Sequence, residues 1–371
     1  MKIYFCSTES ANNYKSWSNI PYLLKNKLEA EGYCVQNIIL HEFKLLKFTF
    51  NLFTRAINLL KKDKTTFFYN RTYLHYFLTY LYSLYIKISA NKDDVVIIQG
   101  YTHPPIIFKN KTIMLGDWPY KYIFQNFLKR APSSFEQRAI NREDREIERA
   151  NAVITLFPGV YDFMVSNYQN KNIYFLGNFV NVDFSFEPVD ISIKQSSNRI
   201  LFIGRSQYID GARELVEAIS KLRLLGHEIF LDIVGIKKIE MPINYDWVTI
   251  HGYLDKGIPA QKSKFYALLK NARVVANTTK NWNSFQALLE GMYFSNPVLI
   301  RVNPNISTFF HNLSDISYIV DDSPDSLYHA IKEIFLECEV YAAKSSNARN
   351  ASEFHTWDRF IKQISKLVNE I

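Results

Sequence analysis

The chain has 371 residues, 47% of them hydrophobic and 22% charged, which excludes a disordered chain and asks for two domains rather than one core. Forty-four Lys and Arg against 36 Asp and Glu leave a net charge of +8 and invite an anionic partner. No zinc finger, RNP-like aromatic motif or Arg-rich arm is present, so nucleic acid is not expected to be that partner.

Cys6, Cys34 and Cys338 are odd in number and far apart, which argues against a disulfide framework or a zinc site and for a reducing, cytoplasmic setting. The opening MKIYFCSTES has no apolar core, so no signal peptide is expected, and no run of ~18 apolar residues offers a membrane span.

Lys2–Cys6 reads as a strand, ended by the small polar loop 7–13. A helix with Ile20, Leu23, Leu24 and Leu28 follows, with a stop near Gly32, and then a strand over Cys34–Leu40. Residues 43–88 are rich in Phe, Leu, Tyr and Lys. They read either as two amphipathic core helices with a solvated basic edge or as a face that rests on an anionic membrane. Asp94–Gln99 and Thr112–Leu115 are buried-strand candidates whose following loops hold His103 and Asp117, at the strand ends where ligands of an open α/β sheet gather. Next come a charged helix (Phe135–Arg149), a strand (Ala152–Leu156), a short helix (Val160–Asn167) and a strand at Ile173–Leu176.

The polar, Pro-bearing stretch Phe184–Asn198 reads as a linker. A second series then runs strand Arg199–Ile203, helix Ala212–Leu225, and strands Ile229–Val234 and Val248–His251. Helix Lys262–Asn271, strand Val274–Ala276, helix Phe285–Phe294 and strand Val298–Ile300 complete it. The fold expected is α/β: two Rossmann-like domains, 1–185 and 195–354, facing across a cleft, with a last helix over 355–371 returning to the first.

From about Ala150 onward the chain resembles the retaining GT-B glycosyltransferases that build bacterial surface polysaccharides, a family 4-like group. The resemblance rests on segments in order: Arg149-Ala-Asn-Ala-Val-Ile-Thr, Asn178-Phe-Val-Asn-Val-Asp183, and Ile200-Leu-Phe-Ile-Gly-Arg205 followed by Gly211. Val248-Thr-Ile-His-Gly-Tyr-Leu, Ser284-Phe-Gln-Ala-Leu-Leu-Glu290-Gly-Met, Asn296-Pro-Val298 and Trp357-Asp-Arg-Phe continue it. The resemblance implies transfer of a sugar from a UDP- or GDP-linked donor to a lipid-linked or polysaccharide acceptor, with no metal or other cofactor.

The chemistry needs a cation beside the diphosphate as it leaves, and Arg205 is placed for that. Where the family carries a Lys before its Gly, this chain has Asp210; Lys280 is the candidate substitute. Ser284, Phe285, Gln286 and Ala287 open a helix whose free N–H groups form an anion site. Glu290 shares a face with Gln286 and, by resemblance, accepts from the ribose hydroxyls. The resemblance adds His251 to the donor set. The family's second Glu falls on Trp282 or Asn283, and its His on Gly116, next to Asp117. Asp117 is then a base, a stabiliser of the cationic sugar, or an Asx-turn cap; His103 is the other catalytic candidate. These departures leave open a second reading, a degenerate subunit that binds a partner enzyme or glycan without turnover.

Overall fold

Two six-stranded sheets, every pairing parallel, organise the chain. The computed structural model describes residues 1–13, 19–60, 68–182, 190–280, 286–302, 304–323 and 325–370. Two compact units result: Met1–Gly177 with Ile361–Ile371, and Asn178–Phe360.

The first unit runs β1 (Lys2–Ser7), α1 (Ile20–Ala30), β2 (Cys34–Ile39), α2 (Lys44–Leu60), α3 (Tyr73–Ser89), β3 (Val95–Gln99) and β4 (Lys111–Gly116). It continues through α4 (Tyr120–Ile123), α5 (Ser134–Arg149), β5 (Ala152–Thr155), α6 (Pro158–Asn167) and β6 (Ile173–Phe175). The sheet order is β2-β1-β3-β4-β5-β6. Central strands such as Val95–Ile98 are continuous β-branched runs because helices cover both faces. The chain leaves β1 for β2 on one side and returns for β3 on the other, so a topological switch point opens between β1 and β3.

The second unit runs α7 (Ile191–Ser196), β7 (Arg199–Ile203), α8 (Ile209–Leu224), β8 (Phe230–Val234), β9 (Val248–Gly252), α9 (Pro259–Asn271), β10 (Val274–Asn277), α10 (Gln286–Tyr293) and β11 (Val298–Arg301). After it come α11 (Pro304–Phe309), α12 (Leu313–Ile316), β12 (Ser317–Val320), α13 (Ser326–Leu336) and α14 (Cys338–Glu353); the last helix, α15 (Trp357–Glu370), belongs to the first unit from Ile361 on. The order β12-β11-β10-β7-β8-β9 puts this sheet's switch point between β7 and β10. Its core gathers Ile200, Phe202, Leu215, Ile219, Leu231, Ile233 and Ile331.

The stretch read as a linker differs in part. Residues 183–189 lie outside the described ones, and Ile191–Ser196 form α7, capped by Asp190, which accepts from Ser192 N at 2.9 Å. Lys194 is fully buried and donates to Leu269 O at 2.6 Å, Asn296 Oδ1 at 2.8 Å and Ala272 O at 3.3 Å. A buried Lys that satisfies the carbonyls ending α9 is a tertiary device, and a six-residue helix is too short to show periodicity. Lys61, Lys62 and Lys64 in the basic stretch also lie outside the described residues.

Candidate functional site

In the second unit, β7 ends in Gly204-Arg205. Gly204 N donates to Val234 O at 3.0 Å, which ties this loop to the one after β8. Gly235 sits there at φ +99°, and a Cβ on it would stand 2.4 Å from Gly204 O, so only glycine permits this approach. Arg205 is exposed, has no ion pair among the described residues, and lies over the Tyr253 ring at 5.8 Å. The start of α8 presses on the loop after β10: a Cβ at Gly211 would meet Thr279 Oγ1 at 2.5 Å, and Thr278 Oγ1 donates to Gly211 O at 2.8 Å. Arg205 and Lys280 therefore follow the two strands that flank the switch point, where open α/β sheets bind ligands.

Asp210, which replaces the expected Lys, faces Arg213 on its own helix at 3.5 Å. It also complements the helix's positive end. Lys280 lies 3.4 Å from Asp322, both exposed. Arg301 holds that same Asp322 at 2.9 Å, along with Glu214 at 2.8 Å and Thr278 O at 2.7 Å. Such an exposed pair yields readily to a better anion.

Ser284 and Phe285, with Trp282 and Asn283, fall outside the described residues. α10 is described from Gln286, whose Nε2 donates to Phe179 O. Ala287 beside it is half-buried. One turn on, Glu290 is 3% exposed and receives Lys256 Nζ on Oε1 at 2.7 Å; Lys256 also donates to Asn181 O at 3.3 Å. Burial pushes the Glu290 carboxyl up, and Lys256 pulls it part of the way back. Gln286 and Glu290 thus share a face turned towards the segment Phe179–Asn181. Sequence reasoning missed Lys256; it stands two residues past the Val248–Leu254 stretch that carries the resemblance.

His251 is half-buried, and one of its ring nitrogens is engaged within the sheet. Its Nε2 meets Asp232 Oδ1 at 2.7 Å, and Arg199 Nε meets the other oxygen at 2.7 Å, so these three side chains bind β7, β8 and β9 together. Nε2 is thereby committed to the sheet.

The first unit holds a pocket of about 310 Å³ at its own switch point. Thr8 after β1, Gln99–His103 after β3 and Gly116–Trp118 after β4 line it, with Arg71 and Glu143. It brings together Asp117 and His103, the two residues singled out in this half. Asp117 is half-buried, and its carbonyl accepts from Thr155 Oγ1 at 3.3 Å. A Cβ at Gly116 would meet the Tyr101 ring at 2.8 Å, while Tyr101 OH donates to Gly116 O and lies 2.9 Å from Ile154 O. The ring occupies the space a histidine at 116 would need.

His103 lines the pocket but is 4% exposed; its Nε2 donates to Asn70 O and its Nδ1 is 3.4 Å from Thr79 Oγ1. Burial, then the neighbouring His75, hold it well below the usual histidine range. Both ring nitrogens thus face protein atoms, Asn70 O and Thr79 Oγ1, in the wall of the pocket.

Sequence reasoning also missed Glu143, fully inside the protein, which receives Arg71 at 2.9 Å, Thr102 Oγ1 at 2.7 Å and Tyr120 N. Its signal was a carboxylate on the core period of α5, with Glu136, Ile140 and Ile147. Trp118 Nε1, Gln99 Oε1 and Asn70 Oδ1 are buried atoms of pocket-lining residues and have no hydrogen-bond partner among the described residues. A polar ligand would meet an incompletely satisfied wall here. No group of three His, Cys, Asp or Glu side chains suited to a metal forms among the described residues.

No family model matches the chain, and no curated protein matches it by sequence. Solved structures do. Sucrose-phosphate synthase from Thermosynechococcus elongatus superposes at TM-score 0.70 and 14% identity, over 100% of this chain and 98% of that one. WaaG, a glycosyltransferase involved in lipopolysaccharide biosynthesis, gives 0.68 and 15%, over 100% of both chains. A mutant of S. aureus TarM, solved with fondaparinux, alpha-GlcNAc-glycerol and UDP, gives 0.58 and 17%, over 79% of this chain; the chain spans 59% of TarM. At these identities the likeness shows the fold, which is the GT-B α/β architecture.

Proposed function

We propose that the chain is a retaining glycosyltransferase that moves a sugar from a UDP- or GDP-linked donor to a lipid-linked or polysaccharide acceptor of a bacterial surface glycan. The observation that carries this reading is the pair at the carboxyl side of the second sheet: Arg205, exposed and without an ion pair among the described residues, and Glu290, a carboxylate buried in an apolar helix. The UDP in the TarM structure and the glycosyltransferase activity named for WaaG support it.

In this reading Glu290 accepts from the ribose hydroxyls through the oxygen Lys256 leaves open, and Arg205 neutralises the diphosphate. Lys280 can leave Asp322 to join it. The bond between the anomeric carbon and the diphosphate oxygen breaks. An acceptor hydroxyl oxygen bonds to that carbon on the same face, and its proton passes to the leaving phosphate oxygen, which departs with the nucleotide. Arg205 acts most strongly on the charge that grows in the transition state. Asp117 and the pocket at the first switch point receive the acceptor. No metal enters the scheme.

Thermal shift with a panel of UDP- and GDP-sugars tests the donor side. Saturating donor at about 100 times Kd stabilises by about 2.7 kcal/mol and raises Tm. No shift with any nucleotide sugar would sink the proposal, while a shift without nucleotide release on any acceptor extract would favour a binding subunit.

A further inference from the structure

Helix α2 places Leu45, Phe48, Leu52, Ala56 and Leu59 at spacings of three and four, so they share one face. That face is turned to solvent: Phe48 is 60% exposed and Leu59 87%. The helix meets the body through its other side, where Phe50 packs on the Tyr69 ring and Thr54 and Ile57 are half-buried. Helix α3 is inverted. It buries His75, Thr79 and Ser83 along with Ile86, the Thr79 and Ser83 hydroxyls donating to Tyr76 O and Pro105 O, and turns Leu74, Phe77, Leu81 and Ile88 outward. Phe77 is 64% exposed and Ile88 84%. A helix in water does the reverse, and each of these two successive helices leaves an apolar strip that calls for a cover.

Charge identifies the cover. Between Phe43 and Ala90 the sequence holds eight Lys and Arg against a single Asp; Arg71 is spent on Glu143 and Lys47 on Glu42, and the other six remain in excess. Lys44 and Arg55, eleven residues and about three turns apart, border the exposed strip of α2 on one edge. Two copies of this face would set base against base, so self-association is disfavoured. An anionic lipid surface offers both an apolar layer and the complementary charge. No helix among the described residues is long and apolar enough to cross a membrane.

We propose that α2 and α3 form a docking face for an anionic bilayer, with α2 lying in the headgroup plane, its Leu45–Leu59 strip in the acyl boundary and Lys44 and Arg55 at the phosphates. This stands independently of the catalytic reading, because vesicle binding needs no turnover.

The test is co-sedimentation of the full chain with vesicles of phosphatidylcholine alone, or of phosphatidylcholine mixed with phosphatidylglycerol. Wild type pellets with the mixed vesicles and not with the neutral ones, and rising salt weakens binding. The triple variant Leu45→Gln, Phe48→Gln, Leu52→Gln lowers the partition coefficient at least about tenfold. Lys44→Glu with Arg55→Glu lowers it at least roughly tenfold. Because every substituted side chain is exposed, Tm stays at the wild-type value, which separates lost docking from lost folding. Three results would each overturn the proposal: wild type staying in solution with the mixed vesicles, the triple variant binding as wild type does, or a dimer by light scattering that the triple variant dissolves.

Discussion

A carboxylate sealed inside a protein must be neutralised, hydrogen-bonded or both, and Glu290 meets that demand through Lys256. Removing one partner leaves the other charged and stranded, so Glu290→Ala is expected to cost about 3–5 kcal/mol of stability in urea unfolding. Glu290→Gln with Lys256→Gln should cost less than the two single changes added, which a double-mutant cycle reads directly. For the donor, Glu290→Gln should raise Kd by roughly ten- to a hundredfold in isothermal titration, since a charge-assisted acceptor is lost. Unchanged affinity for every donor would remove Glu290 from the site. Arg205→Ala should leave the fold intact, because its side chain is exposed and carries no ion pair among the described residues. Its turnover should fall by about 2–4 kcal/mol in barrier with KM little changed. Arg205 and Glu290 were legible because each sits inside a local stretch that carries its own context. Lys256, Arg71 and Glu143 were not, because their ion-pair partners stand 34 residues away for Lys256 and 72 for Arg71 and Glu143. The partners of His103 and His251, Asn70 O and Asp232, also come from other elements and were not legible.

At the scale of elements, caps and close approaches decide what the loops can present. α5 opens with a capping box, Ser133 and Glu136, and Arg130 grips both Glu136 oxygens at 2.8 and 3.0 Å. Burial alone would raise the Glu136 carboxyl, but the Arg130 and Ser133 hydrogen bonds outweigh it and bring the pKa to about 2, from 4.5. Between those values the unfolded chain binds more protons than the folded one. The contribution, about 3 kcal/mol, is therefore full above pH 4.5 and is lost as pH falls through the folded value. Urea unfolding should show wild type losing its advantage over Glu136→Gln as pH drops below 4.5, and no change in the gap between pH 6 and 8. Gly235→Ala should destabilise by about 1–3 kcal/mol and weaken donor binding, because it combines positive φ with a 2.4 Å clash on the Arg205 loop. Gly226→Ala, at φ +90° with nothing within 4 Å, isolates the strain alone and should spare donor binding. Elements with a strong period were legible to within a few residues. α7, α11, α12 and β12 were not, since each has six residues or fewer and owes its form to the sheet or helices beside it.

At the scale of the whole molecule, two parallel sheets each present a switch point at their carboxyl ends, and each switch point holds residues that the sequence had marked. The alternation of strand and helix sufficed to see two such halves. The sequence beyond Ile300 carried no comparable alternation, and α13 and α14 emerged only from the structure. The central claim, transfer from a nucleotide sugar, is tested most directly by one measurement. The protein is incubated with each UDP- and GDP-sugar and a bacterial membrane lipid extract, while nucleotide release is followed alongside the mass of the extract's glycolipids. The account predicts that one donor gives nucleotide and a glycolipid heavier by one sugar in equal amounts, with both lost in Arg205→Ala. If no donor gives nucleotide, or if Arg205→Ala releases it at the wild-type rate, the claim is contradicted.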